Sequence, residues 1–456
     1  MRQAGSRQKE FECLRAQYPV FCFDDFQVHS KPQEVRVVYR YSAGSDLSFR
    51  STYRIDAPSS IELNQLDNFW FALGMIDMLS YWKCVCSPQV SVGAGAIDSE
   101  QQQWWRYLYY QGLSEFRYVN GIEASQEEWV SFDSSFKPAF SPLVIPSASG
   151  NLVPIGGGKD SAVTLELLGQ ATRDNLCFML NDRSAADRTV IAAGYPVSSA
   201  ITATRTIDPK LFELNRNGFL NGHTPFSALL AFLSTLAAAL HKRRYVVLSN
   251  ESSANEGNLP GLDVNHQYSK TFDFEQRFVE YCATYLTADV QYFSLLRPWN
   301  ELQIAREFAH HTQHHEIFRS CNRGLKSDSW CRKCPKCLFV FVSLAPFLEM
   351  EKLCQIFGAN LLDDPELHDD LRSLVDPRRL KPLECVGTRS EVAAALKATV
   401  DKYRSTGEHL PVLLQAFIKS EQYRAAAALE SLLSTYSGEH RVPEYFLRLL
   451  SPNMAA

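Results

Sequence analysis

The run Leu152-Val153-Pro154-Ile155-Gly156-Gly157-Gly158-Lys159-Asp160-Ser161 constrains this chain more than any other stretch of it. An apolar, strand-like segment ends in three glycines, and Lys159, Asp160 and Ser161 lead into a helix-like stretch from Ala162 to Leu168. Consecutive glycines let the backbone turn tightly and bring bare N–H groups up to an anion. The helix that follows directs the positive end of its dipole to the same place. The pattern is not a Walker A loop, because an Asp stands between Lys and Ser. The bland alternative is an ordinary glycine-rich turn between a strand and a helix.

Short apolar runs at 152–155, 176–180, 200–207 and 245–249 alternate with helical stretches. This alternation predicts an α/β domain over 148–347, a parallel sheet with flanking helices. In such a sheet ligands bind outside the carboxyl ends of the strands. The glycine loop falls at one such end, and Ser249-Asn250-Glu251 at another. Before this domain, residues 1–147 read as α+β. Val35 to Tyr41 and Leu47 to Ile55 alternate as two strands of a hairpin around Ser42-Ala43-Gly44-Ser45-Asp46. Leu66 to Trp82 reads as a buried helix, and Gln101 to Tyr110 as another. Residues 348–456 read as helical. Thr388-x-x-Glu391 has the spacing of a capping box, and Tyr423 to Leu433 suits a helix. No chemistry is assigned to this last region, which reads as packing or oligomer contact.

Net charge is −5, which argues against a dedicated nucleic-acid binder. Phe226 to Leu240 is the longest apolar stretch, too short to span a bilayer, and reads as a buried helix. The first twenty residues show no apolar signal segment, so a cytoplasmic protein with no membrane partner is expected.

The chain has 12 cysteines, and they are not spaced like a secreted disulfide framework. Cys331-x-x-Cys334-x-x-Cys337 forms a tight cluster that Cys321 could complete as a fourth thiolate. Structural zinc takes four soft ligands at such spacing, and an iron–sulfur cluster is the rival. Arg332, Lys333 and Lys336 within the run would offset the negative charge of a thiolate–zinc centre. Cys321 has a second reading as an active-site thiol, since Ser320-Cys321-Asn322-Arg323 looks like a functional loop.

Four polar runs lie near expected strand ends: Asn221 to Pro225, Ser249 to Ser253, Asn265 to Lys270 and Arg297 to Glu301. Each could hold phosphate, ribose or carboxylate, and each could equally be a capped turn. His223 and His266 rank above other histidines only because they sit in these runs.

Taken together, these motifs are similar to a known family. Gly156 to Ser161 resembles the PP-loop of the ATP pyrophosphatase superfamily, whose fold is adenine nucleotide alpha-hydrolase-like. The ordered set of that loop, Asn221 to Pro225, Ser249 to Ser253, Val264 to Lys270, Ser294 to Pro298 and Ser320 to Arg323 is more specific. It resembles the family of UDP-N-acetyl-α-D-muramoyl-L-alanyl-L-glutamate epimerases, with a thinner echo in Tyr109 to Phe116. The resemblance implies ATP-dependent inversion of the terminal L-glutamate of UDP-MurNAc-L-Ala-L-Glu, in peptidoglycan synthesis, with AMP and pyrophosphate released. Joining the α-carboxylate to AMP would remove its negative charge and acidify the neighbouring C–H, so that a base can take the proton. On this reading Gly156, Gly157, Gly158 and Ser161 hold the pyrophosphate, and Lys159 compensates charge. Asp160 places Mg2+, with Asn250 and Glu251 beside it in the nucleotide site. His223, His266, Lys270 and Cys321 are the candidates for proton transfer. Arg297 and Arg323 bind substrate carboxylates or diphosphate.

The nearest rival is another adenylating enzyme of that superfamily, such as a 7-cyano-7-deazaguanine synthase-like amidating enzyme, whose cysteine spacing is similar. A tRNA-modifying thiolase is disfavoured by the lack of basic excess. A non-catalytic nucleotide-binding protein is a rival of another class, against which the intact Lys159-Asp160-Ser161 speaks.

Overall fold

The computed structural model describes residues 6–58, 63–134, 140–171, 174–181, 184–196, 198, 200–259, 261–262, 264–324 and 327–450. Its centre is one mixed sheet. Strands β1 (Val20–Lys31), β2 (Glu34–Ala43) and β3 (Leu47–Asp56) form an antiparallel meander, and β2 and β3 are the expected hairpin. The alternation of buried and exposed residues along β3 is the pattern of a strand with one face in the core. Strands β4 (Gln89–Val92) and β5 (Ser131–Ser134) extend the sheet in parallel beyond β1. Strands β6 (Asn151–Pro154), β7 (Asn175–Leu180), β8 (Ala200–Thr206) and β9 (Tyr245–Leu248) fall where the apolar runs predict them. A further strand, β10 (Gln291–Ser294), was not among the expected ones; polar Gln291 and Ser294 at its ends leave only Tyr292 and Phe293 as an apolar signal.

The strand order is β10-β9-β6-β7-β8-β3-β2-β1-β4-β5. Strands β10 to β8 are mutually parallel, and β8 pairs antiparallel with β3, with Tyr53 opposite Arg205. The sheet therefore runs without a break from the N-terminal region into the parallel domain. From β6 the chain winds outward through β7 to β8, then returns to the other side of β6 as β9 and continues to β10. The order thus reverses between β6 and β9, and that reversal opens a crevice at their carboxyl ends.

Helices cover both faces. Helix α1 (Asp67–Trp82) has fifteen of its sixteen residues buried, so it is a core helix rather than an amphipathic one. It packs against α2 (Phe226–Leu240), the apolar stretch read from the sequence as a buried helix. No helix among the described residues is long and apolar enough to cross a membrane. On the opposite face, α3 (Lys159–Ala171) follows the glycine loop and packs on α4 (Glu301–His310). Helix α5 (Pro335–Leu344) lies between α4 and α6 (Arg389–Thr406). The capping box expected at the start of α6 is present, with Thr388 Oγ1 accepting from the Glu391 N–H at 3.2 Å. The helix expected over Tyr423 to Leu433 is instead two short ones, Glu421–Ala425 and Leu429–Leu433, with extended backbone at Ala426 and Ala428.

Candidate active site

Gly156, Gly157 and Gly158 leave the end of β6 at the crevice, and Asn250 and Glu251 leave β9 opposite them. The three glycines are not equivalent. Gly157 has φ +80°, and a Cβ there would stand 2.8 Å from the Ala185 carbonyl carbon, so both conformation and space demand glycine. Gly156 has open space in front of it, and Gly158 faces the Ser320 hydroxyl. The Arg319 N–H donates to the Gly157 carbonyl at 2.8 Å, tying the loop to the segment that carries Cys321.

Behind the loop lies a charged cluster. The buried Lys159 ammonium contacts both Asp160 and the buried Glu301 carboxylate. Burial alone would lower the Lys159 pKa, but Asp160 and Glu301 outweigh it and hold it above the usual lysine range. Burial tends to raise Asp160, yet Lys159, Lys336 and Lys270 hold it below the usual carboxylate range. Glu301 is pushed up to about 7 by burial first, with Asp160 and Glu251 adding repulsion. Its position is fixed by the start of α4, where Asn300 caps the helix and the Glu301 N–H donates to Glu391 at 3.0 Å. Glu251 is 2% exposed, and its Oε2 has no hydrogen-bond partner. A buried carboxylate oxygen left unpaired is costly, and a cation brought by a ligand would satisfy it.

Lys270 and Lys336 connect this cluster to a second one. Lys270 lies in the field of Glu251, Asp160, Glu301 and Cys385. The Lys336 ammonium donates to the Cys385 carbonyl. The Cys385 thiol also pairs with His266, whose Nδ1 contacts Glu115. Burial would raise the Cys385 pKa, but Lys270, His266 and Lys336 bring it down to about 6. Burial would lower His266, but Cys385 and Glu115 hold it at about 9. His223 lies beside it with ring centroids 4.2 Å apart and the ring planes tilted by 40°, and burial together with the neighbouring His266 pushes it down to about 3. The two histidines expected to act therefore sit together but in opposite protonation states near neutral pH.

Of the two expected arginines, Arg297 departs from the reading given it. Arg297 is fully buried, and its guanidinium is committed to protein acceptors: the Glu251 carbonyl at 2.6 Å, the Lys270 carbonyl at 2.6 Å and Glu275 at 3.0 Å. It is a strut that holds the segments carrying Glu251 and Lys270, not a group presented to a substrate. Arg323 donates to the Lys333 carbonyl at 3.1 Å and belongs to the cysteine loop.

Cys321, Cys331, Cys334 and Cys337 bring their sulfurs within 4.8 Å of one another. Cys331 and Cys337 sulfurs are 3.7 Å apart, and those of Cys334 and Cys337 3.5 Å. Tetrahedral zinc with about 2.3 Å bonds to sulfur needs sulfurs about 3.8 Å apart, so the four thiols fit such an ion. The geometry groups Cys321 with the other three thiols. Of the three cations in this run, Lys333 pairs with Glu366 at 3.2 Å and Lys336 turns to Cys385, so only part of the expected charge compensation serves the thiols.

Residues not singled out from the sequence complete the site. Glu301 lay at the end of a quoted polar run, and Glu115 within the run Tyr109 to Phe116. Cys385 and Glu391 come from the region assigned no chemistry; no local pattern marks Cys385, and Glu391 is marked only as half of a capping box.

An α/β sheet with paired acids, ammonium groups and a thiol gathered at its switch point is the architecture of an enzyme. Two family models match the chain, the MurL N-terminal domain over residues 13–295 and the MurL C-terminal domain over 317–430. It is 36% identical over 400 residues to the UDP-N-acetyl-alpha-D-muramoyl-L-alanyl-L-glutamate epimerase of Xanthomonas oryzae pv. oryzae, covering 84% of this chain and 85% of that one. It is 33% identical over 411 residues to the protein of the same name from a Micromonospora species, covering 87% and 88%. A third, from Salinispora tropica, is 38% identical over 347 residues and 74% of each chain. The chain belongs to the MurL family, and it is an isomerase of the epimerase kind.

Proposed function

We propose that this enzyme inverts the terminal L-glutamate of UDP-MurNAc-L-Ala-L-Glu in peptidoglycan synthesis, with ATP activating the carboxylate and AMP and pyrophosphate leaving. The names of its relatives support the substrate. The observation that carries the ATP-dependent part is the juxtaposition at the switch point: a glycine loop opening α3, with Lys159, Asp160 and the unpaired Glu251 carboxylate behind it. ATP would supply the adenylyl group that neutralises the glutamate carboxylate.

The protein's own groups have roles suited to this. The N–H groups of Gly156 to Gly158 and the Ser161 hydroxyl lie where a phosphate chain would meet the start of a helix. Asp160 and Glu251 are the oxygen donors that suit Mg2+. Lys159, held charged by two carboxylates, balances the leaving pyrophosphate. Beside Gly156 an apolar notch lined by Pro154, Phe178, Leu180, Phe226 and Leu230 suits an adenine ring. The four thiols suit a structural zinc that stiffens the segment hydrogen-bonded to Gly157.

The test is incubation with ATP and UDP-MurNAc-L-Ala-L-Glu, followed by nucleotide analysis and chiral analysis of the glutamate. D-glutamate formed together with AMP is the expected result. Inversion without splitting of the α–β bond of ATP would remove the adenylation step.

A further inference from the structure

We propose that the Cys385 sulfur is the base that takes the glutamate α-proton, with His266, Lys270 and Lys336 holding it as a thiolate. This rests on the epimerase reading above and adds to it the reacting group.

Three observations carry the assignment. First, Cys385 is free of any disulfide and stands apart from the four-cysteine site. Its backbone is anchored by Lys336, and its side chain meets His266, which Glu115 holds in turn. Glu384, next in the chain, adds a carboxyl to the surroundings of His266. Second, Lys270 and Lys336 face both Cys385 and Asp160, so the thiol lies across two ammonium groups from the glycine loop. On this proposal the activated carboxyl group sits at that loop with its α-carbon turned to the Cys385 side. Third, the other candidates are already engaged. Cys321 is grouped with the other three thiols, Lys270 is a part-buried ammonium held charged by the anions around it, and His266 is paired to Glu115. His223 is a poor base, because burial and His266 hold its pKa at about 3.

The step balances without any redox partner. A lone pair of the thiolate takes the α-proton and an S–H bond forms. The C–H electron pair moves into the enolate of the activated acyl group. A solvent-derived proton then adds to the opposite face, and the Cys385 thiol returns its proton to solvent. One hydrogen of water replaces one of substrate.

The experiment uses the full chain with Cys385→Ser and Cys385→Ala, assayed in heavy water with ATP and UDP-MurNAc-L-Ala-L-Glu. AMP formation and deuterium at the glutamate α-carbon are read separately. The proposal expects deuterium entry to fall by about 10²–10⁴-fold while substrate-dependent AMP formation persists. Deuterium entry at the unsubstituted rate in either variant overturns it. Inversion and exchange without AMP in the unsubstituted enzyme would sink adenylation and leave the Cys385 comparison readable. Should neither variant fold, carbamidomethylation of the unsubstituted protein by iodoacetamide decides, followed on the Cys385 peptide by mass spectrometry. The rate should rise with pH through about 6 and be slowed by UDP-MurNAc-L-Ala-L-Glu. A rise only near the ordinary thiol range, or no protection by substrate, overturns the proposal.

Discussion

Arg205 Nη2 stands 2.6 Å from Asp77 Oδ1, and the pair is sealed where the N-terminal strands meet the parallel part of the sheet. Asp77 is fully buried on α1 and also accepts from the hydroxyls of Tyr53 at 2.6 Å and Tyr41 at 3.0 Å. Removing one partner strands the other charge in the core, which costs about 3–5 kcal/mol. Asp77→Asn should therefore lower the urea midpoint substantially. The double change Asp77→Asn with Arg205→Met should cost less than the sum of the single changes. Additive losses would mean that the two side chains are not coupled.

The glycine loop offers an internal contrast. Gly157→Ala forces a Cβ into the Ala185 backbone at a positive φ, whereas Gly156→Ala meets nothing within 4 Å. The first should cost at least about 1–2 kcal/mol and cripple AMP formation; the second should leave the fold unchanged. Equal thermal melting temperatures for the two variants would contradict the loop geometry.

Metal content checks the cysteine site. One zinc per chain is expected by elemental analysis, and a strong chelator or Cys334→Ser should remove it. Because the Arg319 N–H holds the Gly157 carbonyl, the stripped protein should lose AMP formation along with thermal stability. A chelated protein with full activity and an unchanged melting temperature would show that no metal stiffens this segment.

The thiol–imidazole pair sets an expected pH profile. Cys385 must be deprotonated to accept a proton, so activity rises with pH through about 6. His266 must stay protonated to hold the thiolate, so activity falls again above about 9. A bell-shaped kcat/KM between these limits is expected, the limbs being apparent values of the pair. His266→Gln removes one cation beside Cys385 and should move the acidic limb upward. An acidic limb that stays in place would mean that another group titrates there.

Much of the framework was legible because it depends on local pattern. Strands β6 to β9, the β2–β3 hairpin, the two buried helices α1 and α2 and the cap at Thr388 are each written in a short stretch of residues. The crevice between β6 and β9 is different, since it follows from strand order, which no single stretch encodes. Arg297 shows the limit for site residues. An arginine in a polar run looks like an anion binder, and only the tertiary structure reveals that three protein acceptors already occupy it. Cys385 shows the converse: an unremarkable cysteine in a helical region acquires its chemistry from His266, Lys270 and Lys336, between 49 and 119 residues away in sequence. Glu391 reads locally as half of a helix cap, yet it also receives the Glu301 N–H and the Ser253 hydroxyl.

The pairing of β8 with β3 carries a consequence for any shortened version of this protein. Cut away at residue 147, the remaining chain would bare the backbone donors and acceptors of β8 along an open border, with Arg205 robbed of its anion. Such a border recruits other strands. The separated piece should clump or pair with itself rather than behave as a smaller working enzyme.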